Sequence, residues 1–215
     1  MKPAIPDIIT VIGPAYQQPI TDLIDRLLHR TFGQSGSEEA GHRENGYCAS
    51  IVILLVAMLE SYVTRLKFTR KAEIKRAVGI PDLLATLFPG LETVDELREV
   101  FLLRNLIAHN HLWHLDVSNP ESHGALTIAS PIDLGFDVNK NYSDIVDASA
   151  RRTRRLQLHA SPTDVDRSDV KTVFCSVWRT LESMNRANSS DTPLAGRQVV
   201  FAGRRIDFEQ LIQLL

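Results

Sequence analysis

Residues 103–111 read Leu-Arg-Asn-Leu-Ile-Ala-His-Asn-His, a polar cluster set into an otherwise apolar stretch. Arg104 and His109 are residue types that together can work on a phosphodiester. An imidazole, with an ordinary pKa of about 6.5, exchanges a proton near neutral pH. A guanidinium holds phosphate oxygens with a two-pronged donor and keeps its charge throughout. In RNA cleavage His109 would assist removal of the 2'-hydroxyl proton or protonate the leaving oxygen, while Arg104 would stabilise the crowded negative charge of the transition state. Asn105 stands four residues before His109, on the same helical face, where its amide can orient one ring nitrogen. Arg104 lies about 140° around the helix from His109, and its long side chain can bend toward the same concavity. Asn110 and His111 follow directly and are expected to support the site, with Tyr62 and Trp113 as further cleft residues or core aromatics. This chemistry calls for no metal and no cofactor. A zinc site through His109, His111 and His114 is a weaker rival, because no carboxylate or thiol stands at ligand spacing beside them.

The elements that must position these residues are helical. Apolar residues Ile20, Leu23, Ile24, Leu27 and Leu28 recur at three and four residue steps, predicting a helix over 17–30 that opens near Pro19 or Thr21. Glycines and polar residues over 32–45 predict a loop. Residues 47–68 predict the central core helix, followed by a short basic helix at 70–78 and a turn or two at 81–87 between proline breaks. Thr93 with Glu96 three residues on predicts a capping box for a second long helix running toward Trp113. Asn119-Pro120, Gly124, Pro131 and Gly135 punctuate residues 116–147, predicting a loop region with a small hairpin. Further helices are expected at 143–155 and 164–187, then a short strand at 198–201 and a closing helix at 208–215. The fold class is therefore all-α or mainly α, a bundle of four to five helices with a loop and hairpin insertion after the second long helix.

The segment Arg104-Asn105-Leu106-Ile107-Ala108-His109 resembles the Arg, polar residue, spacer, His signature of HEPN domains. Upstream, Ala57-Met58-Leu59-Glu60-Ser61-Tyr62-Val63 is similar to that family's apolar helix carrying one acidic residue, here Glu60. The likeness covers roughly residues 17–187, by element order as much as by motif. It implies a HEPN-like helical bundle that often pairs two-fold, with both Arg and His sets lining one cleft at the homodimer interface. It also implies metal-independent endoribonuclease activity of the kind found in toxins, antiviral effectors and stress responses, sometimes neutralised by a nucleotidyltransferase-like antitoxin. The rival within the same family is a non-catalytic module that dimerises through this helix or binds a nucleotide or partner. Residues 1–192 would form the helical domain, including the insertion 116–147, and 193–215 a C-terminal extension packed on it. Glu60 follows the apolar run 51–59, where an unpaired carboxylate would be costly to bury. It is expected either to reach Arg104 or His109 and fix its orientation, or to lie on the exposed flank.

Composition bounds the remaining readings. The chain has 215 residues, 44% hydrophobic and 23% charged, which suits one globular domain. Lys and Arg number 24 against 26 Asp and Glu, so no global cationic field recruits polyanions. Local strips remain: Arg65, Lys67, Arg70 and Lys71 form one, and Arg151 and Arg152 open another, either of which suits an RNA phosphate backbone. Two distant cysteines argue for a reducing, cytoplasmic setting. The uninterrupted apolar run 51–59 is short for a membrane span, and the prolines near the start do not fit a signal peptide.

Overall fold

The computed structural model describes residues 12–29, 38–70, 79–109, 142–147, 149–189, 192, 194 and 197–215, with side chains from residue 44 in the second segment and up to residue 108 in the third. The chain is mostly helical. Its elements are α1 (Gln17–His29), α2 (Glu38–Thr69), α3 (Ile80–Leu87), α4 (Val94–His109), α5 (Tyr142–Ile145), β1 (Val146–Asp147), β2 (Arg152–Thr153), α6 (Arg167–Ala187), β3 (Gln198–Phe201), β4 (Arg204–Asp207) and α7 (Leu211–Leu214).

Helix α2 is the centre, packed by α1, α4 and α6. Ile51, Val52, Leu55, Val56, Met58, Leu59, Val63 and Leu66 along it are fully buried. The helix starts earlier than composition suggests, since residues 38–45 are helical where a loop is expected. Docking supplies the reason: Arg167 Nε donates to Glu44 at 2.7 Å, and Asn45 Nδ2 donates to the carbonyls of Pro162 and Val165 at 2.8 and 3.1 Å. Within Glu44–Thr69 an 18-residue window reaches a mean hydropathy of 1.8, so by length and composition this helix could cross a membrane. The uninterrupted run 51–59 understates it. Half of that apolar window is buried against the other helices, as in the core helix of a bundle.

Burial of α2 has a consequence for one of its side chains. The Cys48 thiol, fully buried, is pushed up to about 12, chiefly by burial and then by the carboxylates of Glu44, Asp166 and Asp169, with Arg167 opposing. Unfolding releases this proton above pH 9, whereas the folded chain holds it. Stability is thus expected to fall by roughly 1.4 kcal/mol per pH unit from about pH 9 upward. Urea midpoints taken from pH 8 to 11 should drop more steeply for the wild type than for Cys48→Ala. Equal slopes would show that Cys48 is not the group responsible.

Helix α4 buries two faces. Leu97, Val100 and Leu103 join the main core, while Leu102 and Leu106 form a second small core with Val146. Two buried faces explain why its apolar residues are not confined to a single stripe. The expected Thr93–Glu96 capping box is replaced by tertiary bonds: Thr93 Oγ1 meets Thr180 Oγ1 at 2.7 Å, and Glu96 Oε2 accepts from Ser176 Oγ and Arg179 Nη2 at 2.8 and 2.5 Å. A capping box does open α6, where Asp166 accepts from the Ser168 and Asp169 amides.

The helix expected over 143–155 is not there. After one turn of α5 the chain enters the β1–β2 hairpin and a turn at 154–156. Arg151 and Gln157 hold φ of 50° and 59°, which a helix excludes. At the C-terminus the single expected strand has a partner. Ala202 and Gly203, both at positive φ, form the two-residue turn that joins β3 to β4. The hairpin is tied to α1 by paired bonds between Gln18 and the Val200 backbone, both at 2.9 Å. Phe208 then inserts beside Phe174 and Trp178, with ring centroids 4.9 and 5.7 Å away. The basic helix at 70–78, apart from Arg70, and residues 116–141 of the expected loop and hairpin region 116–147 lie outside the described residues.

Candidate functional site

Among the described residues one ion pair links helices α2 and α4, in which Arg104 Nη2 donates to Glu60 Oε1. Of the two expectations for Glu60, the structure places it against Arg104. Both side chains are partly buried, 23% exposed for Arg104 and 35% for Glu60, so the pair is shielded without being sealed from water. The guanidinium also lies over the Phe101 ring, 5.4 Å from its centroid, one turn back on α4. Glu60 and Phe101 thus fix the Arg104 head on two sides. Among the described residues its Nη1 makes no hydrogen bond, and its buried Nε has no partner. That leaves Nη1 as an unbonded donor on a preorganised cation that an oxyanion could take up.

Asn105 is on a different side of α4. It lines an open groove of about 670 Å³ between α3, α4, α5 and the turn after β2, with Phe101, Leu102 and Ile145 among the apolar walls. The polar walls are Asp82, Asp95, Glu99 and Asp144 against Arg98 and Arg155. Arg98 is spent on Asp82 and Asp95 at 2.8 and 2.5 Å, and Arg155 reaches Asp95 at 3.4 Å. Carboxylates outnumber the arginines here, so this groove by itself does not favour phosphate. Arg104 and Asn105, adjacent in sequence, are therefore not brought together. Helix α4 runs through His109, whose side chain lies outside the described residues, as do Asn110, His111, Lys71, Trp113 and His114.

The other sequence candidates are dispersed. Arg65 is half-buried and Lys67 exposed on α2, while Arg70 lies over the Phe88 ring at 5.5 Å. Tyr62 is 1% exposed and belongs to the core, its phenol pushed up by burial and partly held back by the Arg197 cation. Arg151 faces solvent, but Arg152 turns into its own hairpin, where Nη1 donates to the Gln157 carbonyl and Nη2 to His159 Nε2, both at 2.6 Å.

Sequence reasoning missed the network that Arg152 enters. Because the guanidinium can only donate, His159 Nε2 accepts, and the ring proton sits on Nδ1, which donates to Asp169 Oδ2 at 2.8 Å. Asp169, 2% exposed, also accepts from the His159 and Asp166 amides at 3.1 and 3.0 Å. His159, Asp166 and Asp169 place ligand-type atoms within 4.8 Å of one another. Yet these carboxylates already serve the α6 cap and the imidazole, and Arg152 adds positive charge beside it. The cluster is a structural clasp more than a cation site. The only signal in sequence was Asp166 and Asp169 at capping-box spacing, and nothing local points from there to His159. Comparison with family models, with curated proteins and with solved structures gives no match for this chain.

Proposed function

We propose that the chain is a metal-independent endoribonuclease of HEPN type, built on a helical bundle in which Arg104 and His109 act on an RNA phosphodiester. The observation that carries the reading is the Glu60–Arg104 ion pair over Phe101. It joins the acidic position of the apolar helix to the Arg of the Arg-Asn-spacer-His motif and leaves part of the guanidinium unbonded. On this reading the 2'-oxygen attacks phosphorus, the bond to the 5'-oxygen breaks, and a 2',3'-cyclic phosphate remains. His109 moves a proton at one of these two oxygens, and Arg104 neutralises charge on the non-bridging oxygens. The working form is a homodimer with two such sets facing one cleft, of the kind that serves as a toxin or antiviral effector restrained by a nucleotidyltransferase-like antitoxin. The direct test is incubation of the purified chain with RNA in EDTA, with analysis of the product ends. Cyclic phosphate termini support the reading, and no cleavage above a heat-inactivated control removes it.

One observation favours the rival reading of a non-catalytic dimerisation or partner-binding module. Glu60 already balances the Arg104 charge, so a structural role for that pair needs no substrate. A chain that dimerises in light scattering but leaves RNA intact would decide for it.

A further inference from the structure

The segment 151–159 is basic, tightly bonded and unusually shaped. Arg151 and Gln157, neither of them glycine, hold the left-handed region at its two ends. Inside it, Thr153 N donates to the Leu158 carbonyl at 2.8 Å and Leu158 N to Thr153 Oγ1 at 3.0 Å. Glu99, 5% exposed on α4, spends both carboxylate oxygens on this turn, accepting from the Arg155 and Leu156 amides at 2.8 and 2.7 Å. Arg154 N donates to the Ile145 carbonyl at 2.8 Å, and Arg152 with His159 and Asp169 clasps the other side. A buried carboxylate and a partly buried clasp thus fix the backbone of a surface turn.

What this scaffold presents outward is charge. Arg151 and Arg154 are exposed. Among the described residues Arg151 makes no side-chain bond, and Arg154 makes only a long one, Nη2 to the Ser143 carbonyl at 3.3 Å. Arg155 is different, tethered toward Asp95. A flexible basic strip would lose backbone as well as side-chain freedom on binding, whereas a turn already fixed by Glu99 and Asp169 loses only that of its arginine side chains.

We infer that the Arg151–Arg154 turn is a preorganised binding element for the phosphate backbone of single-stranded RNA, with Arg151 and Arg154 as the contacting residues and Glu99 and Arg152 as positioning residues. The choice of RNA rests on the proposed ribonuclease reading. Specificity for bases lies elsewhere, because guanidiniums seated on phosphates carry no sequence information.

The test uses the full chain and a fluorescent 2'-O-methyl oligoribonucleotide of mixed sequence, which lacks the attacking hydroxyl and so reports binding without cleavage. Anisotropy titrations over a salt series should give Arg151→Ala/Arg154→Ala an affinity about tenfold lower at low salt. Its slope of log affinity against log salt should be shallower by roughly 1.4, at about 0.7 for each phosphate no longer neutralised. Arg186→Ala, which removes an exposed cation on α6, should bind as the wild type does. Glu99→Gln separates a shaped turn from diffuse charge. It makes the chain more positive yet should bind several-fold more weakly, with helical circular dichroism retained. Tighter binding by a folded Glu99→Gln, or an unchanged salt slope in the double variant, overturns the assignment, as does a wild type that fails to bind the probe. Should Glu99→Gln not fold, Arg151→Glu/Arg154→Glu replaces it, and binding equal to that of Arg151→Ala/Arg154→Ala would count against a direct role for the two arginines. Failure of the ribonuclease reading looks different: the wild type then leaves ordinary RNA uncut while the salt slope still depends on Arg151 and Arg154.

Discussion

His109→Ala and Arg104→Ala are each expected to lower RNA cleavage in EDTA by about a hundredfold to a thousandfold. On the proposed ribonuclease reading the first removes the proton-transfer group, an effect of roughly 10²–10⁴ for general acid–base catalysis. The second removes the charge opposite the developing oxyanion, an effect of about 10²–10³ for one missing stabilising donor. On that reading the two act in the same transition state, so the double variant should be little slower than the worse single one. Glu60 is bonded to Arg104, so on the proposed reading it acts by position. Glu60→Gln keeps an acceptor for Nη2 and is expected to cost about tenfold in kcat with KM nearly unchanged, while Glu60→Ala should cost more. Single-turnover assays on a short RNA measure each of these. Cleavage by His109→Ala at the wild-type rate would sink the catalytic assignment. Equal losses in Glu60→Gln and Glu60→Ala would show that Glu60 does more than orient Arg104.

Phe208→Ala should destabilise the protein by about 3–5 kcal/mol, the range for truncating a buried aromatic. The residue lies in the C-terminal extension, and its ring is fully buried against Phe174 and Trp178. Its amide also donates to the Arg197 carbonyl at 3.0 Å, which anchors the turn into the core. For a chain of this size the loss corresponds to a drop of roughly 10 °C in melting temperature. Thermal melts followed by circular dichroism would measure it. A loss under about 1 kcal/mol would mean that the β3–β4 hairpin and its following turn are an appendage, and that the four-helix core closes without them.

Much of the bundle was legible because buried stripes repeat at the helical period. Ile20, Ile24 and Leu27 on α1, and Val170, Val173, Phe174, Val177 and Leu181 on α6, are all buried. The misread pieces are those where a distant group supplies what the local sequence lacks. Residues 38–45 look like a loop until Arg167 and the carbonyls of Pro162 and Val165 give Glu44 and Asn45 partners. Residues 143–155 hold enough helix formers to suggest a helix, yet Glu99, more than forty residues earlier, captures the amides at 155 and 156 in a tight turn. Thr93 and Glu96 have capping-box spacing, and α6 draws both side chains away.

The same division runs through the candidate site. The sequence by itself determined the residue types: an imidazole at His109, a permanent cation at Arg104 and one acid, Glu60, within the apolar stretch 47–68. It also set their helical phase, because spacing along one helix is a local property. Only the tertiary structure decided that Glu60 meets Arg104, that Asn105 turns instead into a carboxylate-lined groove, and that Arg152 points inward while Arg151 and Arg154 stay exposed. Those outcomes depend on which helices pack and at what depth. Burial makes an unpaired charge costly, so the partly buried Arg104 and Arg152 take the partners that packing brings within reach, while exposed Arg151 stays in water.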